Sequence, residues 1–174
     1  MKFRVETVVA PYDFSRRCRA AAEHAVLLAE RLGAKLLFVH VIPFSSFEYA
    51  AFEGGAYTPQ AWPSEEEVKA KLESAVSELL AGREGAPETS IRVLKGDPAG
   101  EIAELADDTA GPLIVMPTHG FGAFRRFILG SVTTKVLHDV NCPVFTGAHL
   151  ERDPLAPVAA YTHVACAIDL REHS

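Results

Sequence analysis

Five short apolar runs of strand length recur along this chain, and each of the first four is followed by a segment with the spacing of an amphipathic helix. Val5 to Ala10 stops at Pro11-Tyr12-Asp13; Ser15 then opens a segment with apolar or small residues at 18, 21, 25, 28, 29 and 32, which Gly33 closes. Leu36 to Ile42 is almost continuously apolar, the composition of a strand buried on both faces. Ser64 and Glu67 form a capping box ahead of apolar positions 68, 72, 75, 76, 79 and 80. Ser90 to Leu94 reads as a third strand, Asp97-Pro98 as an N-cap and first helical residue, and Ile102, Leu105 and Ala106 as the buried stripe of a third helix. Leu113 to Met116 is the fourth strand. The last helix starts near Ser131, turns Val132, Val136, Leu137 and Val140 inward and stops before Pro143, ahead of a fifth strand from Val144 to Thr146.

Four β-α units ending in a strand predict an α/β fold: an open five-stranded parallel sheet with helices on both faces. Right-handed crossovers cover both faces only if the winding reverses once, in the flavodoxin-like manner, which gives the strand order 3-2-1-4-5. The switch point then lies between strands 1 and 4. Pro11 to Asp13, Val41 and Pro117 to Gly120 all fall at or just past the carboxyl ends of strands 1, 2 and 4, where sheets of this kind bind ligands.

The 174 residues suit one domain over 1–148 with a tail over 149–174, and the 48% hydrophobic and 23% charged fractions are those of an ordinary globular protein. A net charge of −6 gives no general attraction to nucleic acid, so nucleic acid is not an expected partner and any phosphate must be held by a local site. Cys18, Cys142 and Cys166 form no Cys-x-x-Cys pair, which argues against a zinc knuckle or a disulfide framework and fits a reducing compartment. No run approaches the roughly 18 apolar residues of a membrane span, and a cytoplasmic protein with no membrane partner is expected. Pro43 to Pro63 follows neither period and reads as a long loop, a lid or an interface.

Met116 to Thr133 joins the fourth strand to a glycine-opened helix whose first turn carries Ser131 and Thr133, the setting in which backbone amides hold phosphate. Gly120 and Gly130 allow close backbone approach, although glycine at a turn has an ordinary structural explanation as well. Pro117 has no N–H to donate. Neither a Gly-x-Gly-x-x-Gly dinucleotide pattern nor a Walker lysine is present. Arg125 and Arg126 could neutralise a polyphosphate or simply be solvated. Asp13, an acceptor-only carboxylate, suits a ribose hydroxyl or an adenine amino group, or it shares the capping of the first helix with Ser15. His24, His40 and His138 lack the i, i+4 pairing of helical metal sites, so no protein-built metal site is expected.

These residues resemble the universal stress protein family over roughly 3–148. The resemblance rests on a Gly-x-x-Gly, nine residues, Gly-Ser/Thr signature: Gly120, the nine residues to Leu129 and Gly130-Ser131 match it, with Pro117 at the place of the first glycine. Asp13 within Pro-Tyr-Asp-Phe-Ser, Val41, the Gly96-Asp97-Pro98 turn and Cys142-Pro143-Val144 add to it. The resemblance implies an adenine nucleotide alpha hydrolase-like fold and an adenine nucleotide, ATP or AMP, with any Mg2+ held through the phosphates. It places adenine and ribose near Ala10, Pro11, Tyr12, Asp13 and Val41. Phosphates would fall near Gly120, Gly130, Ser131, Val132 and Thr133, with Met116, Pro117 and His119 flanking them.

A binding and regulatory module is the leading expectation. Two others stand beside it: a nucleotide-free dimerisation module whose site Pro117 and Tyr12 close, and a slow ATP hydrolase using Ser131 or His119. The tail from Tyr161 to Ser174 repeats the pattern of Thr7 to Ser15, with Asp169 on Asp13, as the first strand and turn of a second copy would. An extra C-terminal strand, Val164 to Ile168, needs a partner, and a homodimer is the expected assembly.

Overall fold

A computed structural model describes residues 4–43, 64–118, 129–147 and 165–166. Its order is β1 (Thr7–Pro11), α1 (Arg16–Leu32), β2 (Lys35–Pro43), α2 (Glu65–Leu80), β3 (Thr89–Gly96), α3 (Pro98–Asp107), β4 (Pro112–Val115), α4 (Ser131–Asp139) and β5 (Val144–Phe145). The strands form one parallel sheet in the order β3-β2-β1-β4-β5, the singly reversed winding expected from the alternation.

Alternate residues of each strand face opposite layers, and the two layers are filled by different helices. Val8, Ala10, Tyr12, Leu36, Phe38 and Val115 pack with α1 and α2 through Ala22, Val26, Leu72 and Val76. Val9, Leu37, Val39, Val41, Ile114 and Met116 pack with α3 and α4 through Ile102, Leu105 and Val136. The central strands are therefore covered on both sides, which is why their sequence is continuously apolar rather than alternating.

Local chemistry sets the helix ends. Ser15 accepts from the Cys18 amide at 3.1 Å, and Gly33 adopts a left-handed φ of 61° while its amide reaches Ala29 and Glu30 carbonyls. Ser64 and Glu67 bond reciprocally at 3.2 and 2.7 Å, and Asp97 accepts from the Gly100 amide at 3.1 Å.

One inward face departs from the expected pattern. Leu137 on α4 is 41% exposed, whereas Thr133 is buried. The phase of α4 is fixed by Val136 in the core and by the Thr133 hydroxyl, which donates to the Pro117 carbonyl at 3.1 Å, and this turns Leu137 outward. The loop expected from Pro43 to Pro63 lies outside the described residues from 44 onward. In the tail, Ala165 and Cys166 are exposed and belong to neither helix nor strand; the rest of the expected extra strand lies outside the described residues.

Candidate functional site

Val9 stands opposite Ile114 in the β1–β4 pairing, so the chain leaves β1 at Pro11 and β4 at Met116 side by side at the switch point. Beyond Pro11 the backbone curls over the α1 and α2 layer. The Tyr12 amide still donates to Val39 at 2.8 Å, while the Tyr12 carbonyl accepts from His40 Nδ1 at 2.6 Å. A carbonyl only accepts, so Nδ1 carries the proton in this contact. The Tyr12 ring turns into the core, edge-on to Phe38 and Phe14, and burial raises its pKa above 10.0, with Cys18 the next cause.

Asp13 follows, partly exposed, with Oδ1 accepting the Ser15 amide at 2.8 Å. Ser15 is the N-cap of α1, and Asp13 caps the turn before it rather than an amide of the helix. Cys18 lies beneath, its Sγ donating to the Pro11 carbonyl at 3.0 Å and accepting from the Asp13 amide at 3.4 Å. Burial pushes this thiol well above its ordinary value of 9.0, and the charge of Asp13 adds to the effect, so it is kept as a donor rather than a nucleophile. Phe14 has a φ of 63°, and no other non-glycine among the described residues is left-handed. For a residue with a Cβ that conformation costs about 1–2 kcal/mol. Besides Tyr12, the ring is contacted by His40 at 4.8 Å between centroids and by Lys71, whose Nζ lies 4.2 Å from the Phe14 centroid.

The exit from β4 is built differently. Met116 is buried beside Val41 in the α3 and α4 layer, and its amide donates to Phe145 at 3.1 Å. Pro117 and Thr118 are buried; the Pro117 carbonyl takes the Thr133 hydroxyl, and the Thr118 carbonyl takes the Gly130 amide at 2.8 Å. The two ends of the segment between them are thereby tied together. Gly130 is the N-cap of α4, and no described side chain caps this helix. The first intrahelical bond is that of Thr134 to the Gly130 carbonyl, which leaves the amides of Ser131, Val132 and Thr133 without an acceptor among the described residues. Ser131 is exposed and Val132 half-buried at this opening.

Of the expected site residues, Ala10 is buried within β1 and Pro11 ends it; Val41 and Met116 share one apolar cluster, and Pro117 and Thr133 meet directly. His119 and Gly120 lie outside the described residues, as do Arg125 and Arg126. Sequence reasoning missed His40 and Phe14 as parts of the site. The one signal for His40 was its place beside Val41 on β2. Among the described residues, no group of three or more His, Cys, Asp or Glu could hold a metal ion, and no helix is long and apolar enough to cross a membrane.

A doubly wound sheet with an acidic turn after β1 and a glycine-started helix after β4 defines a class of crevice-binding α/β proteins. Residues 4–146 match the model of the universal stress protein family, and the chain belongs to that family. A universal stress protein of Thermus aquaticus is 33% identical over 142 residues, covering 80% of this chain and 96% of the relative. The protein MJ0531 of Methanocaldococcus jannaschii is 31% identical over 141 residues, covering 79% and 78%. Among solved structures, MJ0577 superposes with a TM-score of 0.63 at 26% identity, over 81% of this chain and 94% of the other. Two more share the fold: a universal stress protein in complex with cAMP (TM-score 0.58, 24% identity, 82% and 96% covered) and one from Archaeoglobus fulgidus in complex with dAMP (0.53, 24%, 83% and 98%).

Proposed function

We propose that this chain is a regulatory module that binds an adenine nucleotide, ATP or AMP, in the crevice between β1 and β4 and acts through its bound state. The observation that carries this reading is the start of α4. Each of the other three helices accepts an N-terminal amide with its own side chain, Ser15, Ser64 or Asp97, whereas the first-turn amides of α4 have no acceptor among the described residues. Phosphate is such an acceptor, and the helix dipole favours its charge. The cAMP and dAMP bound by two proteins of the same fold support an adenine nucleotide as its source.

The residues present fit that group. Ser131, Val132 and Thr133 would supply amides to the phosphates, and the Ser131 hydroxyl a further donor. Asp13, with Oδ1 already accepting from Ser15, keeps acceptor capacity for a ribose hydroxyl or the adenine amino group. Val41 and Met116 would line the apolar side of the base. Pro117 gives no amide, but its carbonyl orients Thr133 and with it the first turn of α4. Mg2+ would ride on the phosphates and keep several waters. The same proposal includes a cytoplasmic setting and a homodimer built on the sheet edge at β5, for which light scattering showing a monomer would be the counter-finding.

Titration calorimetry with AMP and with ATP and Mg2+ tests the site. Binding in about the micromolar range is expected, and Gly130→Glu should abolish it by placing a carboxylate where phosphate would sit. No heat for either nucleotide at millimolar concentration would overturn the reading, and phosphate release above background would turn it towards hydrolysis.

A further inference from the structure

The structure assigns His40 as a positioning residue: by donating from Nδ1 to the Tyr12 carbonyl and packing on Phe14, it fixes where the Asp13 carboxylate stands. The inference rests on the nucleotide reading above and deepens it. Asp13 sits between two residues that His40 touches, Tyr12 through a 2.6 Å hydrogen bond and Phe14 through a ring contact at 4.8 Å. The bond crosses from β2 to the turn just past the end of β1, beyond the last ladder bond, that of the Tyr12 amide to the Val39 carbonyl. Without it the Tyr12 carbonyl has no acceptor role in the sheet, and the left-handed Phe14 loses one of the three neighbours around its ring.

His40 and Val41 divide the work by strand alternation. Phe38 belongs to the α1 and α2 layer and Val39 and Val41 to the other, so His40 falls on the side over which the turn curls, while Val41 faces the layer shared with Met116. His40 therefore acts on the ligand through Asp13 and does not need to touch it. Three further contacts complete the turn: the Ser15 amide to Asp13 Oδ1, the Asp13 amide to Cys18 Sγ, and Cys18 Sγ to the Pro11 carbonyl. All three lie on the α1 side; from β2 the Val39 carbonyl takes the Tyr12 amide, and His40 is the side chain that holds the Tyr12 carbonyl.

The test uses the full chain with the variants His40→Asn, His40→Leu, Asp13→Asn and the double variant His40→Leu/Asp13→Asn. Asparagine can place a donor near the position of Nδ1; leucine cannot. AMP affinity by calorimetry should fall about tenfold in His40→Leu, stay within about threefold of wild type in His40→Asn, and fall no further when His40→Leu is added to Asp13→Asn. Additive losses in the double variant, or equal losses in the asparagine and leucine variants, overturn the assignment. A ligand-free measurement accompanies it: amide exchange at Ser15, whose N–H the Asp13 carboxylate accepts, should speed up at least about tenfold in His40→Leu and not in His40→Asn. Unchanged Ser15 exchange in His40→Leu overturns the assignment whether or not AMP binds. Absence of AMP binding in wild type with Ser15 exchange responding as stated overturns the nucleotide reading and supports His40 as the residue that places Asp13.

Discussion

The helices that begin beside the switch point, α1 and α4, solve the same problem in opposite ways. Both must satisfy first-turn amides that have no intrahelical partner. At α1 the chain's own side chains act as acceptors: Ser15 takes the Cys18 amide of the first turn, Asp13 takes the Ser15 amide, and Cys18 takes the Asp13 amide while donating to Pro11. At α4 the cap is glycine, its amide is spent on Thr118, and the first-turn amides have no acceptor among the described residues. The comparison shows that a start capped by its own side chain and a start without such a cap differ mainly in one residue, the N-cap.

Supplying the missing cap is the strongest way to break that contrast. Gly130→Asp should accept the Val132 or Thr133 amide as Ser15 and Asp97 do in their helices, raising stability by about a few tenths of a kcal/mol. The same carboxylate repels phosphate, and AMP affinity should fall about 100-fold by calorimetry. A gain in stability with unchanged AMP affinity would detach the ligand from α4. Next in size, Thr133→Val keeps the shape but strands the buried Pro117 carbonyl, and urea unfolding should show a loss of about 1–2 kcal/mol.

On the closed side, Ser15→Ala should cost about 1 kcal/mol in urea unfolding through the lost cap, with AMP affinity changed by less than about threefold. An equal loss of AMP affinity would mean that both helix starts serve the ligand. The smallest effect concerns the exposed cap of α3. The Lys135 ammonium, and after it the Gly100 amide, hold the Asp97 carboxyl below its ordinary value of 3.8. A lowered folded pKa means stability that is present above that value and lost as the pH falls through the folded pKa. The difference between wild type and Asp97→Asn in thermal melts should therefore be constant near neutral pH and close below about pH 4.

The parts of this molecule legible in its sequence are those decided by neighbours in the chain. Ser15, Gly33, the Ser64 and Glu67 pair and Asp97-Pro98 mark their helix ends because each bonds within a few residues of itself. The strand order followed from alternation plus crossover handedness, with no contact needing to be known. Leu137 was misplaced because the phase of α4 depends on a hydroxyl reaching a carbonyl sixteen positions earlier, which apolar spacing cannot register. His40 went unread for a similar reason. Its partner is 28 positions away, in a turn where an aromatic residue, Phe14, takes a left-handed conformation that usually falls to glycine.

The bond from the Gly130 amide to the Thr118 carbonyl has a consequence for how such a molecule can change over time. It ties the exit of β4 to the start of α4 at 2.8 Å, whatever number of residues the chain places between them. Doubling the length of a flexible ring costs only about 0.6 kcal/mol. A change of length between Thr118 and Gly130 is thus expected to leave β4 and α4 tied, so that stretch can vary while the rest of the fold is inherited unchanged.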